Sequence, residues 1–116
     1  MIVINIFDDE ISIKGHAGYA ERGKDIVCAA ISVLTQSLIR SIETLTTDRM
    51  EYSLSDGQAD IKFRNLSKTS SILISSFLIG VLDIEKEYPE NVKIICPSIE
   101  DIKSYGNSAT VEHSKS

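Results

Sequence analysis

The chain has 116 residues, 42% hydrophobic and 25% charged, which is the balance of one globular domain. That excludes a disordered chain, a collagen-like repeat and a disulfide-rich miniprotein. Twelve basic residues against 17 acidic ones leave a net charge of −5, the wrong sign for a protein that tracks nucleic-acid phosphates.

The N-terminus has no basic run ahead of its apolar stretch, which ends at Asp8. It therefore reads as a strand rather than a signal peptide. Ile2 to Phe7 is β-branched and apolar, as in a strand buried on both faces. Asp8-Asp9-Glu10 is turn chemistry, and Ile11-Ser12-Ile13-Lys14 alternates with period two, so the two runs predict a hairpin. The stretch from Gly15 to Lys24 holds three glycines and no period, and reads as a long loop. From Asp25 the apolar positions 27, 31, 34, 38, 42 and 45 step by three or four, the stripe of a helix on a core. Asp25 suits the N-cap, and Thr46-Thr47-Asp48 suits the end.

Residues 50–54 and 59–63 alternate around Asp56-Gly57 and predict a second hairpin. A second helix is expected over about Ser67 to Lys86. Its middle is apolar nearly all round, as for a helix central in the fold or covered by a partner subunit. Its most apolar run, 72–84, carries Ser75, Ser76, Gly80 and Asp83 and is too short for a membrane span of ~20 residues. Pro89 stops the helix, and Val92 to Cys96 forms a last strand. Residues 99–105 suit a short helical turn, and 106–116 a flexible polar tail beyond a domain of residues 1–105. The expected fold is a single α+β domain of order ββαββαβ, a mostly antiparallel sheet packed with two main helices.

Two residues carry possible chemistry. Cys28 falls one turn into the first helix, where free amides and the helix dipole favour a thiolate, the nucleophilic form. His16, the one histidine outside the tail, lies in the glycine-rich loop and could act as base toward that thiol. Ser32 stands one turn beyond Cys28 on the same helix face. The plainer readings are a small core thiol at Cys28, a solvated loop histidine and a simple cap at Asp25. Cys96 reads as packing. His16, Cys28 and Cys96 lack metal-ligand spacing, so no metal is expected, and no cofactor motif is present. Two cysteines without a CxxC pair make no disulfide framework and suit a reducing compartment, the cytoplasm.

The segment Gly15-His16-Ala17-Gly18-Tyr19-Ala20, followed by Gly23-Lys24-Asp25-Ile26-Val27-Cys28-Ala29-Ala30-Ile31-Ser32, closely resembles the motif of the ribosomal-processing cysteine protease family, Prp. The resemblance implies an endopeptidase that removes the N-terminal extension of large-subunit ribosomal protein number twenty-seven, cutting after an aromatic pair, as ribosome maturation requires. It implies Cys28 as nucleophile, His16 as its base, Asp25 and Ser32 as supporting polar residues, and a homodimer. Gly15, Gly18 and Gly23 would then be hinges of a lid loop that closes over the peptide. No nucleic-acid or membrane partner is expected. The competing readings are a catalytically silent dimeric module that docks a ribosomal protein or assembly factor through the same groove, and a thiol redox sensor using Cys28.

Overall fold

The computed structural model describes residues 1–15 and 26–97. The elements follow the expected order: β1 (Ile2–Ile6), β2 (Glu10–Lys14), α1 (Ile26–Leu45), β3 (Met50–Ser55), β4 (Gln58–Phe63), α2 (Lys68–Glu87) and β5 (Val92–Ile95). The five strands form one sheet in the order β3-β4-β2-β1-β5. All neighbours are antiparallel except β1 and β5, so the sheet is mixed. The parallel pair is what a helical crossover permits: α2 carries the chain from β4 to the far edge of the sheet.

The core lies on one side of the sheet. Ile2, Ile4 and Ile6 of β1 are buried while the residues between them are only half-buried, so β1 is a one-face strand rather than one buried on both faces. Phe7 falls outside it and is 47% exposed. Ile4, Ile11 and Ile61 on adjoining strands meet Ile42 of α1 and Val81 of α2, all with 0% exposure. Each such side chain contributes ~1.5–3 kcal/mol by leaving water.

In α1 the buried stripe is Val27, Ile31, Thr35, Leu38, Ile39 and Ile42. Thr35 was not expected there. Its Oγ1 donates to the Ile31 carbonyl at 2.7 Å, so the hydroxyl enters the core with its hydrogen bond made. Leu45 ends the helix 63% exposed instead of closing the stripe. By length and composition α1 could cross a membrane, yet its apolar stripe packs into this core. The two helices lie against each other at Gly80, where an added Cβ would stand 3.1 Å from Leu34 Cδ1. That close approach explains a glycine in mid-helix despite its cost of ~1 kcal/mol relative to Ala. Nor is α2 central in the fold. Phe77, Leu78 and Val81 reach the core, but Ile72 and Ile79, seven residues apart, stay 58% and 45% exposed.

A polar knot holds the end of α1 to the start of α2. Asp48 Oδ2 accepts from the Ser67 amide at 2.8 Å and from Ser67 Oγ at 2.7 Å, and it also accepts from Ser70 Oγ. Ser67 Oγ in turn caps α2 by accepting from the Ser70 amide at 3.3 Å. These donors hold the Asp48 carboxyl below the usual carboxylate range, with the Ser70 hydroxyl the largest cause. At the β5 edge, Glu85 Oε2 of α2 accepts from the Ile94 amide at 2.7 Å. The helical turn expected over 99–105, the domain end at 105 and the tail 106–116 lie outside the described residues.

Candidate active site

The first turns of α1 form one wall of a groove of about 190 Å³. Cys28 is the third residue of α1 and is half-buried. Ser32 and Gln36 follow it at intervals of four, so the thiol, a hydroxyl and an amide stand in one column. Ile13, Ile31 and Ala59 make an apolar floor. The opposite wall is the turn between β3 and β4, from Leu54 through Asp56 and Gly57 to Gln58.

Gly15 closes one end of this groove beside Ile2. Its φ of +104° is closed to ordinary side chains, and a Cβ there would run into the Met1 carbonyl oxygen. Its amide donates to the Gly57 carbonyl at 2.8 Å, which ties the end of β2 to the far wall. Glycine is therefore required by geometry at the position just before His16 in the chain.

Of the residues singled out from the sequence, Cys28, Ser32 and Gly15 come together on this one groove. His16, Gly18, Gly23 and Asp25, and with them the lid loop and the Asp25 cap, lie outside the described residues. Cys96 packs half-buried against the core, as expected. Neither cysteine is in a disulfide. Among the described residues no group of three His, Cys, Asp or Glu side chains could hold a metal ion. Sequence reasoning missed Leu54, Asp56 and Gln36. Gln36 sits eight residues from Cys28, and that spacing was the one signal available for it. Leu54 and Asp56 reach the groove only through strand pairing.

A thiol one turn into a helix, on the wall of an open groove with an apolar floor and polar side chains beside it, is the equipment of a thiol enzyme. The family described as cysteine protease Prp matches residues 1–93, and the chain belongs to that family. The ribosomal processing cysteine protease Prp of Mycoplasma genitalium is 32% identical over 96 residues, covering 81% of this chain and 94% of the relative. The protein of the same name from Staphylococcus aureus is 27% identical over 88 residues, covering 73% and 83%. The crystal structure of the S. aureus essential ribosomal processing protease Prp, with a covalently linked product peptide, superposes with a TM-score of 0.72 at 26% identity. That alignment covers 82% of this chain and 96% of the other. SMU.848 from Streptococcus mutans gives 0.66 at 27% identity, covering 82% and 90%.

Proposed function

We propose that this cysteine protease is an endopeptidase of ribosomal-protein maturation, removing the N-terminal extension of large-subunit protein number twenty-seven after an aromatic pair. One observation carries the reading: Cys28 stands on the wall of an open groove whose other end is Gly15, the residue before His16. In the proposed reaction His16 takes the Cys28 proton and the thiolate Sγ attacks the scissile carbonyl carbon. The carbon–nitrogen bond then breaks, the departing amine receives the proton from His16, and the extension is left as a thioester on Cys28. Water, deprotonated by His16, attacks the thioester and releases a carboxylate, and the thiol is restored. Amides at the start of α1 are the nearest donors for the developing oxyanion. Asp25 would cap the helix that presents the thiol, and Ser32 would support the site from one turn along.

The protein would act in the cytoplasm, which suits two cysteines outside any disulfide. It would act as a homodimer. The exposed Ile72 and Ile79 of α2 support a partner subunit on that face. The net charge of −5 also suits a substrate that belongs to a basic ribosomal protein.

The test is cleavage of a synthetic precursor peptide carrying the aromatic pair, followed by mass spectrometry, before and after thiol alkylation and with His16→Ala. Cleavage at the pair that alkylation abolishes, and that His16→Ala lowers by at least about 100-fold, is expected. Binding without cleavage would overturn the enzyme in favour of a docking module.

A further inference from the structure

On β3, Met50, Tyr52 and Leu54 pair with Phe63, Ile61 and Ala59 of β4 and so share the helix-facing side of the sheet. The β4 residues are buried, at 4%, 0% and 9% exposure. Their β3 partners are not: Tyr52 is 45% and Leu54 47% exposed. The helix layer stops short of this edge strand and leaves an apolar shelf beside the groove. Leu54 is the part of the shelf that lines the groove together with Cys28. Around it the side chains are small: Ala59 opposite on β4, and Ser55 and Gly57 in the turn. The result is a depression with one branched apolar side chain at its rim. Asp56, two residues on, puts a carboxylate at the same rim.

We infer that Leu54 determines specificity by forming the apolar jaw against which an extended peptide seats one bulky apolar side chain, while Asp56 favours a cationic neighbour in that peptide. The occupant is a substrate peptide rather than a second copy of the chain, because the depression is continuous with the Cys28 groove, and the Asp56 carboxylate at its rim complements a cationic side chain. The inference rests on the reading of Cys28 as the nucleophile, and the test keeps the two apart.

The test uses Cys28→Ala protein and a fluorescently labelled precursor peptide, with its bulky apolar residues changed singly to alanine. Fluorescence anisotropy should find one position at which alanine weakens binding about 10- to 100-fold. Adding Leu54→Ala should bring that ratio to within about threefold, whereas adding Tyr52→Ala should leave it intact. Asp56→Asn should weaken binding of the basic peptide and reduce its dependence on salt. In the protein with Cys28 intact, Leu54→Ala should lower kcat/KM for the bulky peptide by the same factor. Its rate of alkylation by iodoacetamide should stay unchanged. Binding needs no cleavage, so a failure of the nucleophile reading leaves the binding ratios to decide. A ratio that survives Leu54→Ala overturns the inference. So does a Leu54→Ala protein whose only change is a smaller mass in solution, which would assign the shelf to a second copy.

Discussion

The two ends of α1 are built on opposite plans. At its C-terminal end, the Asp48 carboxylate takes three hydrogen bonds from Ser67 and Ser70 and locks one helix to the next. At its N-terminal end, Cys28, Ser32 and Gln36 face an open groove, and Gly15 holds a backbone conformation that only glycine adopts readily. Both ends sit on the same buried stripe, so the core does not set them apart. Closed polar networks specify one arrangement of the chain. An open wall leaves groups available to a ligand. Substitutions at the two ends should therefore separate activity from stability.

The sharpest break in that contrast would come from Cys28→Ala. Cleavage should fall by at least about 1,000-fold, while the thermal midpoint stays within about 2 °C of wild type, a change of under ~0.5 kcal/mol. A variant that unfolds instead would make Cys28 a packing residue. Gly15→Ala joins the two effects. The backbone penalty alone is about 1–3 kcal/mol, and the contact with the Met1 carbonyl adds to it. Urea unfolding should show the destabilisation, and peptide cleavage should drop with it.

Asp48→Asn tests the knot and should lower the thermal midpoint at neutral pH while leaving kcat/KM for the peptide unchanged. Because the folded-state pKa of Asp48 is lowered, its contribution is complete above the unfolded carboxylate's ordinary value of ~3.9. That contribution is lost as pH falls through the lower folded value. The gap between wild type and Asp48→Asn should therefore close on acidification, read as thermal midpoints across pH 7 to about 2. The smallest effect is Ser67→Ala, about 1 kcal/mol for a lost N-cap, again with full activity. Should Ser67→Ala impair cleavage as strongly as stability, the separation of the two ends would fail.

Much of this arrangement was legible from residues close in sequence. The steps from Val27 to Ile42 announced α1, Asp56-Gly57 announced the second hairpin, and the segment from Gly15 to Ser32 pointed to the family. Periodicity reports only one helix or strand at a time, which is why other features were hidden. Thr35 counted as polar, yet it is buried because its hydroxyl turns back to Ile31. Asp48 read as the fading of a helix because its partners lie 19 and 22 residues on. Leu54 alternates as a half-buried strand should, but its exposure depends on β3 being the edge strand that the helices do not reach. Strand order is a property of the assembled sheet, and no local pattern encodes it.

The bond from Ile94 to Glu85 has a consequence for how copies of this chain can associate. A carboxylate already occupies the outward amide of β5, so a foreign strand arriving there must first displace it and then sit beside a negative charge. The opposite border of the sheet has no such guard among the described residues. Any sheet-extending association, orderly or fibrillar, should therefore propagate from β3, and concentrated stocks of Leu54 and Tyr52 variants with polar replacements should stay dispersed longer than the parent.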